Sequence, residues 1–256
     1  MAALCLWTWS SVLAAPDGRL QLTLFDVGGE ALLIRTPTGR NLLINGGPSA
    51  LRLSNELGRT LPPFQRRLDW LVVAGQRQEQ IGALKAGLGR LSASAVAWAV
   101  APQVNGQDSL LFTRARDLGL AYTELQIGQR FELGQGAGLT VLNVGERGAI
   151  LLLEWKQFRA LLPLGLDFEQ MERLKLGHSI GRVDLLLLAD SGYPPLNPSE
   201  WIYNLNPRVV WLAASGEEPS LELLETLQGR TLLRSDSNGW LRVVTDGENI
   251  WLQTSH

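Results

Sequence analysis

The sequence has very few of the side chains that bind transition metals tightly. Its 256 residues include one cysteine, Cys5, and two histidines, His178 and the terminal His256. Catalytic zinc sites usually take three protein ligands, most often imidazoles. Two histidines so far apart do not supply such a cluster, and one cysteine forms neither an intrachain disulfide nor a thiolate zinc site. The sequence therefore predicts no metal cofactor, and no motif indicates another cofactor.

The chain also lacks a strong net charge. Its formal charge of −2 creates no overall field that would attract nucleic acid or an anionic membrane. Hydrophobic residues make up 45% of the chain, so it can bury a full core as one large domain or two small ones.

The N-terminal segment, residues 1–18, is apolar and has no charge from Ala2 to Ala15. That uncharged run, about 14 residues, is shorter than the roughly 20 that span a bilayer. It also lacks the basic start of a signal peptide. Because Trp7 and Trp9 suit a membrane interface, we favour the end of a transmembrane helix. An export signal and a buried strand are the alternatives, and residues 19–256 are predicted to form one domain.

Hydrophobic periodicity predicts two β-rich halves, each followed by alternating strands and helices. Ala31–Ile34 and Asn41–Ile44 read as a hairpin, and Leu68–Val73 as a strand that precedes a helix over Ile81–Leu91. Val183–Ala189 is almost continuously apolar, as in a strand covered on both faces. The pattern favours an α/β (α+β) fold in which two sheets pack face to face with helices outside, an αββα four-layer sandwich.

Tryptophan is abundant, with nine residues in the chain. Four of them lie in apolar runs of the second half and are predicted to be core residues: Trp201, Trp211, Trp240 and Trp251. His178, between two small residues near a predicted helix end, is predicted to be a loop residue and not a catalytic base.

Three short motifs occur in a fixed order in the first half. Phe25–Ala31 reads F-D-V-G-G-E-A, Thr36–Gly39 reads T-P-T-G, and Leu43–Pro48 reads L-I-N-G-G-P. They resemble the D-V-G-Q-G-D-A, T-P-x-G and L-I-D-G-G-P motifs of the metallo-β-lactamase-like domain found at the C-terminus of ComEC-type DNA-uptake proteins. The resemblance extends over Leu20–Gln253, nearly the whole chain.

The resemblance implies the αββα sandwich of the superfamily that includes ribonuclease Z and hydroxyacylglutathione hydrolase. It also implies DNA and a membrane channel domain as partners, because a transmembrane region precedes this domain in ComEC-type proteins. The implied location is membrane-associated and extracytoplasmic, and a soluble cytoplasmic protein is the alternative.

The metal-binding loop of this superfamily, H-x-H-x-D-H, follows a strand and opens a helix. The corresponding positions here are Gly75, Arg77, Glu79 and Gln80. Glycine has no side chain, and glutamine offers only a neutral amide oxygen. A guanidinium about 4 Å from a divalent cation would be repelled by about 8 kcal/mol at an effective dielectric constant of about 20. Only Glu79 keeps the chemistry of a ligand.

Two later segments that face the metal in this superfamily are altered as well. The position of the metal-bridging carboxylate is Leu166, with Asp167 one residue further on, and the family's His-His-Gly-Ser turn falls on Ala189–Gly192, which contains Asp190. We therefore predict a vestigial metal site with no catalytic residue. The domain would be catalytically inactive and would serve as a structural or interaction module in DNA uptake.

Two other functional classes remain open. A metal-dependent hydrolase, a nuclease or phosphodiesterase, would need a reorganised carboxylate site for magnesium or manganese built from Glu79, Asp167, Asp190 and Asp236. Acidic residues at such positions more often cap helices or turns. A cell-envelope binding module unrelated to DNA is the third class.

Positive charge is concentrated in the first helical region. The residues that would contact DNA there are Arg59, Arg66, Arg67 and Lys85. In a chain that is acidic overall, a solvated surface with scattered positive charge is the simpler interpretation.

Overall fold

The computed structural model describes residues 17–61, 67–88, 91–99, 109–213 and 218–256. Most of the predicted N-terminal segment (residues 1–18) lies outside these ranges, as does Arg66. None of the helices within the described ranges has the length and apolar character needed to cross a membrane.

The described ranges contain strands that pair into two sheets. In chain order the strands are β1 (Leu20–Leu24), β2 (Ala31–Arg35), β3 (Asn41–Asn45), β4 (Arg67–Val73), β5 (Ser92–Trp98), β6 (Ala121–Glu124), β7 (Arg130–Gly134), β8 (Ala137–Gly145), β9 (Gly148–Trp155), β10 (Phe158–Leu162), β11 (Leu185–Leu187), β12 (Val209–Leu212), β13 (Thr231–Arg234), β14 (Leu241–Thr245) and β15 (Ile250–Thr254). The α-helices are α1 (Ala50–Thr60), α2 (Gln78–Gly87), α3 (Ser109–Asp117), α4 (Phe168–Arg173), α5 (Ser199–Leu205), α6 (Leu221–Thr226) and α7 (Ser235–Asn238).

The first sheet has eight strands in the order β15-β14-β1-β2-β3-β4-β5-β6, and the second has seven in the order β13-β12-β11-β10-β9-β8-β7. Within each sheet one run of neighbours is parallel, β3 to β6 in the first and β10 to β13 in the second. The carboxyl ends of the strands in each run therefore share one edge of the sheet.

Three clusters of buried apolar side chains hold the layers together. The central cluster joins the inner faces of the two sheets, for example Leu32 of β2 with Leu151 of β9. A second cluster packs α1, α2 and α3 on the outside of the first sheet, and a third packs α4, α5 and α6 on the outside of the second. This arrangement confirms the predicted αββα sandwich.

Two predicted elements have different bounds in the structure. Helix α2 begins at Gln78, before the predicted Ile81, because the Gln80 side-chain oxygen accepts a hydrogen bond from the Arg77 backbone N–H (3.1 Å) and so caps the helix at Arg77. The apolar run Val183–Ala189 pairs as a strand only over β11, since the chain turns sharply after it. Strand β7 was not predicted.

The prediction that four tryptophans are core residues is half wrong. Trp201 and Trp211 are fully buried, whereas Trp240 is partly exposed and Trp251 is 40% exposed. Trp251 lies on β15, the outermost strand of the first sheet, and its ring lies 4.7 Å below the Arg19 guanidinium. Because β15 is an edge strand, one of its faces is not covered by a further layer, and an apolar residue on that face stays exposed.

We expect Trp211→Ala to lower the free energy of unfolding by about 3 to 5 kcal/mol, because it opens a cavity between the two sheets. Trp251→Ala, the matched control, should cost about 1 kcal/mol or less, since it removes an exposed ring and one cation–π contact. Urea unfolding followed by circular dichroism measures both. Equal losses in the two variants would contradict the assignment of the core.

Candidate functional site

A buried amide occupies the centre of the predicted metal site. Gln80 is completely buried in the first turn of α2. Its Nε2 donates to Oε2 of Glu30 and to the carbonyl oxygen of Leu164, both at 2.6 Å, while its Oε1 accepts from the Arg77 backbone N–H. Both ends of this amide are therefore bonded within the protein, and they join three separate segments of the chain.

Close backbone contacts fill the rest of the space. A Cβ atom on Gly75 would overlap the Gln80 amide, and Gly75 itself pairs with Gly148 in an isolated antiparallel bridge. A Cβ on Gly148 would overlap the Ala74 carbonyl, and a Cβ on Gly165 would overlap the backbone of Gly148. These glycines bring the backbones of the two sheets together. Position 75 consequently has no room for an imidazole unless Gln80 moves.

Above the amide lies a group of charged side chains that we call the Arg77 cluster: Glu30, Arg77, Arg147 and Asp190. Arg77 forms an ion pair with Asp190, and its Nη2 lies 3.6 Å from Oε1 of Glu30. Arg147 donates from Nη2 to Oδ2 of Asp190 at 2.7 Å. Two guanidinium groups thus face two carboxyl groups, and the cluster supplies its own counter-charges.

Glu30 is the most deeply buried member of this cluster, with 2% of its surface exposed. Its Oε1 accepts no hydrogen bond within the described part of the chain. Burial raises the pKa of Glu30, and the opposing effects of the Arg77 charge and the Gln80 hydrogen bond are smaller.

The backbone at Asp190 is unusual. Asp190 and Ser191 both adopt left-handed conformations, with φ angles of 50° and 52°. Such angles are uncommon for residues other than glycine and cost free energy that the surroundings must offset. In this conformation the Asp190 side chain forms ion pairs with both Arg77 and Arg147.

A second buried amide stands where the family motif has aspartate. Asn45 is fully buried with a φ of 56°, and its Oδ1 accepts from the backbone N–H groups of Ala74 (2.9 Å) and Gly75 (3.2 Å). The same oxygen of an aspartate would accept these bonds but would also bury a negative charge. A neutral amide avoids that buried charge, and its Nδ2 finds no hydrogen-bond acceptor among the described residues.

Among the remaining predicted site residues, Glu79 lies beside the cluster: it is exposed in the first turn of α2 and lines the same surface depression as Arg77 and Asp190. Leu166 is buried in the outer core of the second sheet. Asp167 caps α4, where its Oδ1 accepts from the Gln170 backbone N–H at 2.8 Å. Asp236 pairs with the Arg234 guanidinium at 2.7 Å.

Of the four acidic residues considered for a carboxylate site, only Glu79 and Asp190 border the same depression. Asp190 is engaged by two arginines, and Asp167 and Asp236 have structural partners of their own. Among the residues that the structure describes, no group of three or more His, Cys, Asp or Glu side chains is placed to hold a metal ion.

The basic residues predicted to contact DNA lie elsewhere. Arg67 opens β4 whereas Gly75 follows its end, so roughly 20 Å of strand separates them. Arg67 donates from Nε to Oγ of Ser94 at 3.0 Å, and Arg59 pairs with Glu56 at 3.2 Å at the end of α1. Lys85 is in the last turn of α2. The residues predicted to contact DNA and the Arg77 cluster therefore lie in different parts of the structure.

An open depression of about 410 Å³ borders the Arg77 cluster. Solvent reaches Arg77 and Asp190 from it, whereas Glu30 and Gln80 are closed off. Sequence reasoning missed two members of the cluster, Glu30 and Arg147. The acidic residue of the F-D-V-G-G-E-A motif was a signal for Glu30, but nothing in the sequence marked Arg147, which lies in the turn between β8 and β9.

Comparison with solved structures identifies the fold. The chain matches the metallo-β-lactamase fold protein YhfI from Bacillus subtilis with a TM-score of 0.57 at 10% identity, covering 91% of this chain and 99% of that one. A metal-dependent hydrolase of the β-lactamase superfamily matches with a TM-score of 0.53 at 10% identity, covering 84% of this chain and 95% of that one. The protein therefore has the metallo-β-lactamase fold.

A larger protein matches as well. CmlA, a diiron β-hydroxylase from Streptomyces venezuelae, gives a TM-score of 0.55 at 16% identity over 89% of this chain, which spans only 53% of CmlA. No protein-family model and no curated protein sequence matches the chain. None of these neighbours is named as a DNA-uptake protein, so the narrower resemblance to ComEC-type proteins stays a prediction.

The metal-dependent and diiron neighbours imply a metal site that the residues here do not fit. At the positions that the sequence resemblance assigns to the H-x-H-x-D-H ligands stand a glycine, an ion-paired guanidinium, an exposed carboxylate and an amide whose oxygen and nitrogen are both hydrogen-bonded. Arg77 would place a positive charge beside the ion. The donor set is therefore unsuited to a divalent cation.

We expect Arg77→Ala to lower the free energy of unfolding by about 1 to 2 kcal/mol, because Asp190 loses a partner and Glu30 loses the nearest positive charge. This expected loss is smaller than that for a fully buried ion pair, because Arg77 is partly exposed and solvent screens its charge. Arg173→Ala, which removes an exposed pair with Glu169 on α4, should cost less than about 0.5 kcal/mol. Chemical unfolding measures both, and an equal effect would show that the Arg77 cluster is not a stabilising network.

The raised pKa of Glu30 predicts a specific pH dependence. The folded state binds this proton more tightly than the unfolded chain, so the contribution to stability is present below the ordinary value of 4.5 and is lost as the pH rises through the folded-state value. The stability of the wild type relative to Glu30→Gln should therefore fall with rising pH. Urea unfolding from about pH 4 to about pH 8 measures this difference. A stability difference that grows with rising pH would contradict this prediction. The control is Glu172→Gln at an exposed position of α4, and its free energy of unfolding should follow that of the wild type over the same pH range.

Proposed function

We propose that the chain is a catalytically inactive domain of the metallo-β-lactamase fold that acts as a structural or interaction module in DNA uptake at a membrane. One observation carries the proposal: at the positions that the resemblance assigns to metal ligands, the Gln80 amide is hydrogen-bonded to Glu30 and Leu164, and Arg77 is ion-paired with Asp190.

Hydrolysis on this fold needs a metal-activated water molecule, and that requires rigid ligands with an open coordination position. Gln80 and Arg77 offer neither, and Gly75 leaves no space for a replacement. The same residues join the two sheets, so the site is better suited to holding the scaffold rigid than to turning over a substrate.

The role in DNA uptake rests on the order of the ComEC-like motifs and on the basic residues around the start of β4. Arg59 is 76% exposed, and Arg67 is exposed at the beginning of the strand. Exposed arginines of this kind bind phosphates without reading bases. A membrane-associated, extracytoplasmic location with a channel domain as partner belongs to the same proposal, and the soluble cytoplasmic alternative stands against it.

A single experiment separates the three functional classes. Labelled single-stranded DNA is mixed with the protein with and without zinc or manganese, and binding by anisotropy and cleavage on a gel are followed in the same samples. We expect salt-sensitive binding, no cleavage with either metal, and weaker binding in Arg59→Ala/Arg67→Ala with a salt slope reduced by about 1 per lost contact.

The other outcomes are distinct. Metal-dependent cleavage that disappears in Glu79→Ala and Asp190→Ala would overturn inactivity and support the hydrolase. Absence of DNA binding would overturn the role in DNA uptake and favour a cell-envelope module. Arg173→Ala, which changes charge on the opposite outer layer, is the matched control and should bind like the wild type.

A further inference from the structure

A second concave region lies at the seam between the two sheets. Here β15, the edge of the first sheet, faces the beginnings of β12 and β13, which form the same side of the second sheet. The hollow between them has a volume of about 590 Å³, within the usual size range of small-molecule sites. We call it the seam hollow, and the residues that define it here are Arg182, Arg208, Val209, Arg230, Ile250 and Leu252.

The seam hollow is far from the Arg77 cluster. Val209 lies at the start of β12 and pairs with Leu185 at the start of β11, whereas Asp190 follows the end of β11. The two regions are therefore at opposite ends of the second sheet. An inference about the seam hollow does not rest on the function proposed above.

Three arginines and no acidic residue line this hollow. The Arg182 side chain makes neither a hydrogen bond nor an ion pair with the rest of the described chain. Arg208 is 60% exposed, and its nearest carboxylate oxygen, on Asp184, is 3.9 Å away. Each guanidinium carries five N–H donors, so most donors of Arg182 and Arg208 have no protein acceptor.

Arg230 is held more rigidly than the other two. Its Nη1 donates to the Thr226 carbonyl at 2.9 Å, and its guanidinium lies 5.4 Å from the centre of the Tyr203 ring. Its Nε is buried and finds no hydrogen-bond acceptor among the described residues. A buried donor without a partner is costly. Since the Nε is buried, a ligand would contact the terminal guanidinium nitrogens of Arg230 and not its Nε.

The opposite wall of the hollow is apolar. Ile250 and Leu252 are two residues apart on β15 and so project from the same face of the strand, while Trp251 projects from the other face. Leu252 is 38% exposed although it stands beside three positive charges. An apolar wall opposite a cationic wall suits a molecule that has a flat or apolar part and an anionic part.

A smaller hollow of about 290 Å³ adjoins the first and shares Arg182, Arg208 and Ile250 with it. Its lining adds two acidic residues, Asp184 and Glu248, and one further arginine, Arg159, whose guanidinium already forms hydrogen bonds within the protein. These carboxylates would accept hydrogen bonds from the hydroxyl groups of a ligand and would repel a second anionic group. The positive potential is therefore concentrated in the larger hollow.

We propose that the seam hollow binds a small organic phosphate of nucleotide size. The phosphate lies against Arg182, Arg208 and Arg230, the apolar part lies on Ile250 and Leu252, and hydroxyl groups face Asp184 and Glu248. Arginine is suited to this role because its planar fork binds two phosphate oxygens at once.

Calorimetric titration of the full chain with adenosine 5′-monophosphate at low salt tests the proposal. We expect saturable binding that is weakened about tenfold or more in Arg182→Ala/Arg208→Ala. Arg114→Ala/Arg116→Ala removes the same charge from the exposed side of α3 and should leave the affinity unchanged. Adenosine and inorganic phosphate, tested separately, should each bind about tenfold more weakly than the nucleotide.

Three results would overturn the proposal. These are no saturable binding of the nucleotide, equal loss of affinity in the two double variants, and adenosine or inorganic phosphate binding as tightly as the nucleotide. Circular dichroism establishes that the variants fold. Arg208→Lys keeps the charge but removes the fork, so it should bind with an affinity between those of the wild type and the double variant.

Discussion

The side-chain amide of Gln80 is the interaction on which the centre of this molecule depends. It bonds to Glu30 before β2, to the Arg77 backbone at the start of α2, and to the Leu164 carbonyl after β10. It thereby ties two sheets and a helix together at one buried point. A polar group in such a place is stabilising only when all its partners are present, because an unpaired buried amide costs about 1 to 3 kcal/mol.

The charges around that amide follow from its burial. Glu30 is enclosed and its carboxyl group needs a nearby positive charge, which Arg77 supplies from the same chain. Arg77 in turn pairs with Asp190, and Arg147 balances the second carboxylate. Arginine keeps its charge at every accessible pH and needs no defined coordination geometry. Two guanidinium groups therefore face two carboxyl groups, and the charged side chains of the cluster have their partners within the chain.

The charges around the seam hollow are not paired in the way that those of the Arg77 cluster are. A chain with a net charge of only −2 still gathers three arginines there, and no acidic residue lines that hollow. Two of those arginines are separated in sequence by 26 positions and come together only because β11 and β12 are parallel neighbours whose starts share an edge. Net charge therefore gives no indication of where anions would bind on this protein.

The sequence by itself determined the layers of the fold. Apolar alternation and continuous apolar runs specify which faces must be buried, and the turn residues around Thr36–Gly39 fix the first hairpin, so the αββα sandwich could be predicted from local patterns. The sequence also determined that Gly75, Arg77 and Gln80 are poor metal ligands, because that is a property of each side chain. Only the tertiary structure decided what those residues do instead. Ion pairs such as Arg147 with Asp190, and the exposure of Trp251 on an edge strand, depend on which distant segments meet, and no short-range pattern encodes that.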